Sequence, residues 1–149
     1  MVITPGMNKA APKKASQKRL IQGVFLLLVT VIAWWFQQLP ITNAKIKQVI
    51  QHQQSDVVVE FKAEVIKVLA DDNIGSRHQK FIVKTGQHTV LIAHNIDLAP
   101  RVPIQTGREV FIRGEYEWNE KGGVVHWTHH DPQNRREGGW IELNGKKYK

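Results

Sequence analysis

The spacing of apolar residues changes twice along this chain, and each change marks a new kind of element. Residues 20–36, LIQGVFLLLVTVIAWWF, carry no charge at all. Residues 42–54 then place Ile46, Val49 and Ile50 on one stripe, the helical spacing of a short amphipathic helix, with Thr42 or Asn43 in position to cap it. From Val57 the period drops to two. Val57, Val59, Phe61, Ala63 and Val65 alternate with Val58, Glu60, Lys62 and Glu64, which predicts a long strand with one buried face.

Turn residues cut the remainder into further strands. Asp71–Gly75 is a turn signal, Arg77–Thr85 a second strand with Gln79, Phe81 and Val83 on one face, and His88–Asn95 a third after Gly86. Pro100, Pro103 and Gly107 mark an irregular connection. Residues 108–131 read as a hairpin. Val110, Ile112, Tyr116 and Trp118 share a face with Val125 and Trp127, while Arg113, Glu115, Glu117, His126, Thr128 and His130 share the other. The stretches Trp140–Leu143 and Lys146–Tyr148 flank Asn144-Gly145, a pair suited to a type I′ turn. Short strands of this number, after one long strand, predict a mainly β domain. An OB-like Greek-key barrel is the first expectation and an SH3-like barrel the second, because closing the sheet removes exposed edges.

Charge changes the picture less than its total suggests. The net charge is +8 and the pI about 9.9, values that invite a nucleic-acid reading. Yet Lys9, Lys13, Lys14, Lys18 and Arg19 all stand ahead of the apolar run. Of 21 basic side chains, those five removed leave 16 against 13 acidic ones, a balance of +3. Nucleic acid is therefore a weakly supported partner. The chain has no cysteine, so disulfides, thiolate-bound zinc and thiol catalysis are excluded.

The same distribution organises the N-terminus. Residues 1–19 read as a basic tail facing the cytoplasm. Residues 20–38 read as a transmembrane signal anchor: its apolar core spans roughly 26 Å as a helix, at about 1.5 Å per residue. Lys18 and Arg19 lie at one end and the aromatic pair Trp34-Trp35 at the other. The positive-inside rule then exports residues 42–149. A cleaved signal with a site near Thr42-Asn43-Ala44 is the competing reading, and it exports the same domain.

Candidate chemistry concentrates in His126, His129, His130 and Asp131. Imidazole and carboxylate invite a divalent metal, but a regular strand sets His126 and His130 roughly 13 Å apart, at about 3.3 Å per residue, too far to share one ion. Glu115 and Glu117 lie on one strand face about 6.6 Å apart, a separation compatible with paired carboxylate chemistry but common in solvated strands. Only three serines occur, none in a nucleophile elbow, and no phosphate-cradling glycine loop or HExxH motif is present.

Four stretches carry a resemblance: Gly75–Phe81, Ala93–Pro100, Gly114–Asn119 and Gly122–Pro132. In this order they resemble a bacterial family known as domain of unknown function 3465, over roughly residues 45–149. The family has no assigned activity. The resemblance implies that His78, His94, Asn95, His126, His129, His130 and Asp131 belong to the family's pattern. Further histidines usual in its C-terminal section are replaced here by Arg135, Arg136 and Leu143.

The sequence thus points to a membrane-anchored, extracytoplasmic, OB-like binding module. Its expected ligand residues are His78, His94, Asn95, Arg113, Glu115, His126, His129, His130 and Asp131, gathered on a His-rich face of the second, third and fifth strands. No catalytic residue is assigned. A metal-dependent, nuclease-like hydrolase with a histidine-held divalent ion is one alternative. An interaction subunit of an envelope assembly is the other.

Overall fold

The computed structural model describes Met1, Gln22, residues 24–30 and residues 43–149. Residues 24–30 are helical and exposed. They are part of the apolar run, which apart from these residues and Gln22 lies outside the described residues, as does Thr42. Among the described residues, no helix is long and apolar enough to cross a membrane.

The second compact unit, residues 41–149, begins with helix α1 (Ala44–Gln51) and continues with β1 (Val57–Val68), β2 (His78–Thr85), β3 (His88–Asn95), β4 (Glu109–Glu117), β5 (Val124–His126), β6 (Trp140–Leu143) and β7 (Lys146–Tyr148). Strand β1 is long enough to serve two neighbours. Its residues 57–64 pair antiparallel with β4, and residues 64–68 pair with β2 across a register shift between Val65 and Lys67. Strand β3 lies antiparallel to β2 and parallel to β5, and β5 returns antiparallel to β4. The circuit β1-β2-β3-β5-β4 is closed, a five-stranded OB-like barrel. The hairpin β6–β7 extends it, β6 pairing with Phe111–Arg113 of β4. Asn144 and Gly145 both have positive φ (52° and 77°), the requirement of the expected type I′ turn.

Alternation fixes what lies inside. Val59, Phe61, Ala63, Val65, Phe81, Val83, Val90, Ile92, Val110, Ile112, Tyr116 and Val125 form the core, joined by Ile141, Leu143 and Tyr148 from the hairpin. Helix α1 packs Ile46 and Val49 against it. Asn43 occupies the N-cap position without capping. Its amide instead pairs with β1, accepting from the Lys62 N–H at 3.0 Å and donating to the Lys62 carbonyl at 2.7 Å and to Thr85 Oγ1 at 2.8 Å. That substitution of a side chain for a strand ties the helix to the barrel.

Two expectations about the central hairpin change. Trp118 is half-buried at the margin of the core. Trp127 does not continue the inward face: β5 stops at His126, and Trp127 takes φ +54°, a left-handed backbone uncommon for a bulky residue. The turn shifts the alternation by one residue. Thr128, expected outside with His126, is fully buried, and His129 follows it inside.

Gln79 illustrates how the β3–β4 connection is held. Its amide is buried, donating to the Val102 carbonyl at 2.8 Å and accepting from the Val102 N–H at 3.0 Å. Gln79→Ala leaves both backbone groups unpaired and should destabilise the protein by about 2–3 kcal/mol in urea unfolding. Lys80→Ala, one residue on and facing outward, should cost less than about 0.5 kcal/mol. Equal effects would contradict this account of the loop.

Candidate functional site

Three donor groups converge on the outer face of β4 and β5. Glu115 stands directly opposite His126 in the ladder, and Glu117 follows on the same face of β4. Inward neighbours Tyr116 and Val125, both fully buried, anchor the two strands from behind. Gly114 lets them close: a Cβ there would lie 2.5 Å from the His126 carbonyl oxygen. His126 Nε2 lies 4.0 Å from Glu115 Oε1 and 3.7 Å from Glu117 Oε1. One donor atom from each residue falls within 4.8 Å of the others.

The β5–β6 connection, residues 127–139, braces this cluster. The Asp131 carboxylate accepts the N–H groups of Gln133, Arg135 and Arg136 at 2.8–3.0 Å, which together hold it below the usual carboxylate range. That clamp aims Arg136 back at the sheet, where Nη1 donates to Glu115 Oε2 at 2.6 Å. The guanidinium also lies 3.9 Å from the centre of the Trp127 ring. Arg113, on the next outward position of β4, donates to Glu137 at 2.6 Å and to Glu60 and the Gly138 carbonyl at 3.3 Å. Gly138 and Gly139 run so close to residues 127–131 and to the Arg113 carbonyl that a side chain at either would collide with backbone.

His94 and His129 lie behind this face rather than on it. His94 is fully buried on the inward register of β3. Its Nε2 faces the Pro100 carbonyl at 3.1 Å, and a carbonyl only accepts, so that nitrogen carries the hydrogen. Its Nδ1 then accepts from Thr128 Oγ1 at 2.8 Å. His129, also buried, donates from Nδ1 to the His130 carbonyl at 2.7 Å. Burial pushes both imidazoles below the ordinary histidine value, and the neighbouring rings of His129 and His78 further disfavour a charge on His94.

The expected ligand residues therefore divide. Arg113, Glu115 and His126 come together on the outer face of β4–β5. Asp131 supports that face from the loop. His130 is exposed beside a separate cavity of about 410 Å³ shared with Arg136, Trp140 and Lys147. His78 opens β2, with Nδ1 against the Ser76 carbonyl at 2.7 Å, and pairs across the ladder with Asn95, whose side chain caps the Asp97 N–H. The histidines do not share one face. Glu117 and Arg136 complete the cluster and were absent from the expected set. Glu117 was readable two residues after Glu115, whereas Arg136 arrives through a loop fold that strand periodicity cannot convey.

Residues 28–149 match the family model described as Protein of unknown function (DUF3465). The chain belongs to that family. No curated protein matches it. The four stretches quoted above occupy β2, β3, β4 and β5 of the DUF3465 barrel with their connections. The histidines within those stretches of this chain thus include buried braces as well as exposed groups.

The buried pair sets a pH response. With folded values below about 6.5, the unfolded chain binds more protons than the folded one as pH falls past that point, so stability declines. The melting temperature should drop between pH 7.5 and pH 5.0, and His94→Asn should shrink that drop while lowering stability at pH 7.5. A drop of the same size in the variant would contradict the assignment.

Proposed function

We propose that the protein is a membrane-tethered binding module whose barrel works outside the cytoplasm and takes its ligand on the outer face of β2, β3, β5 and β4. The observation that carries the reading is a continuous cross-strand row. Ile82 pairs with Leu91, Leu91 with Val124, and Val124 with Glu117, all half-buried and outward. The row is an apolar floor three strands wide, ending at the Glu117–His126–Glu115 cluster. Leu69 on one side and Asn119 and Lys121 of the β4–β5 connection on the other close it into a cavity of about 220 Å³.

Such a floor suits an extended ligand that lays apolar groups on Ile82 and Leu91 and brings polar groups to the cluster. Closed OB-like barrels bind extended polymers across this part of the surface. The uncharged run at 20–36, with Lys18 and Arg19 before it and Trp34-Trp35 at its end, supports the tether and its direction.

Two measurements in cells test this. Alkaline phosphatase fused after residue 149 should be active, which an enzyme that folds only outside the cytoplasm reports directly. A photoreactive amino acid at position 91 should form adducts that Ile82→Asp abolishes, whereas one at exposed position 45 on α1, away from the floor, should not. An inactive fusion contradicts the tether's orientation. Equal crosslinking from both positions contradicts the binding face.

A further inference from the structure

We propose that Glu115, Glu117 and His126 form a binding site for a divalent transition-metal ion. The inference goes beyond the binding face and stands whether or not that face takes an extended ligand.

The donor set is two carboxylate oxygens and one imidazole nitrogen, a mixture that suits Zn²⁺, Fe²⁺ or Mn²⁺ rather than a thiolate-seeking ion. The separations of 3.7 and 4.0 Å from His126 Nε2 to the two carboxylates are too long for hydrogen bonds. An ion bound at about 2.0–2.2 Å from each donor sets the donors roughly 3.0–3.6 Å apart, so atoms now within 4.8 Å of one another would close by up to about an ångström or slightly more. Side-chain rotation supplies that much, because the backbones already face each other across one ladder rung and one step along β4. Among the described residues, neither His126 nor Glu117 makes a side-chain hydrogen bond that would have to be broken.

Glu115 has a divided role. Its side chain is only 15% exposed, and Oε2 is held by Arg136, which leaves Oε1 toward His126. A charged partner that fixes the far oxygen of a ligand carboxylate is how outer groups commonly orient metal ligands. Arg136 is itself held, by Trp127 beneath it and by the Asp131 clamp on its backbone. The scaffold under the three ligands is strand, with buried Tyr116 and Val125 between them, and so resists the loosening that spoils loop-borne sites. Three protein ligands leave open positions on the ion. The cluster itself adjoins Val124, which pairs with Glu117 at the end of the apolar row.

The two rival explanations are a histidine that merely neutralises two glutamates and adventitious binding by exposed histidines. Both are separable from a site. The 149-residue chain, purified in detergent without a histidine tag and stripped with chelator, is titrated with Zn²⁺, and with Co²⁺ for its visible absorption. One ion per chain is expected, at least about tenfold weaker in His126→Ala and in Glu117→Gln and unchanged in exposed His130→Ala. Circular dichroism and melting of each apo variant report folding, and the near-isosteric Glu117→Gln keeps the test valid should His126→Ala fail to fold. The proposal is overturned by no binding at up to millimolar Zn²⁺, by binding that survives both ligand substitutions, or by binding lost with His130.

Discussion

Closure of the sheet through the β1–β4 ladder is the constraint on which the rest depends. Eight consecutive pairs, Val57–Tyr116 to Glu64–Glu109, fix which residues of both strands point inward. A slip of one residue would turn Phe61, Ile112 and Tyr116 to solvent and bring Lys62, Arg113 and Glu115 into the core, at a cost no small barrel could bear. Register is therefore decided by the core, and the outer face inherits it. Glu115 and Glu117 face outward on β4 because Tyr116 must face inward. His126 meets them because Val125 must be buried. The candidate site is in this sense a by-product of packing.

The second constraint is local. At Trp127 the backbone enters the left-handed region, the alternation shifts, and the chain leaves the strand for a loop stitched down by Asp131, Gly138 and Gly139. The shift sends Thr128 and His129 inside, where Thr128 secures His94, and sends Arg136 back over Trp127 to Glu115. A buried indole N–H on Trp127 lacks a hydrogen-bond partner among the described residues. Strain together with an unmet polar group is an expense that folds tolerate chiefly near functional surfaces. Here it sits one residue from His126.

Much of this was legible in the sequence. The bounds of β3, β6 and β7 follow directly from period-two patterning and turn residues, and the barrel follows from the number and spacing of strands. The outward placement of Arg113, Glu115, Glu117 and His126 is readable for the same reason. Periodicity failed where a single backbone dihedral reversed its phase, so Trp127 was placed in the core and Thr128 outside it. It also failed where contact depends on closure. No spacing along the chain says that Asn43 will pair with the backbone of Lys62, or that His94 on β3 and Thr128 in the β5–β6 connection will share a hydrogen bond. A run of histidines reads as one site in sequence. In the fold, His94 and His129 are braces, His130 is exposed, and His126 alone joins the carboxylates.

The proposed point of ligand contact is the β4–β5 cluster, with a metal ion as one component. Anomalous diffraction at the zinc absorption edge, from crystals equilibrated with Zn²⁺, tests this most directly. The account predicts a strong peak about 2.0–2.2 Å from His126 Nε2 and from one oxygen each of Glu115 and Glu117. Peaks confined to exposed histidines such as His52 or His130, with the Glu115–Glu117–His126 cluster empty, would contradict it.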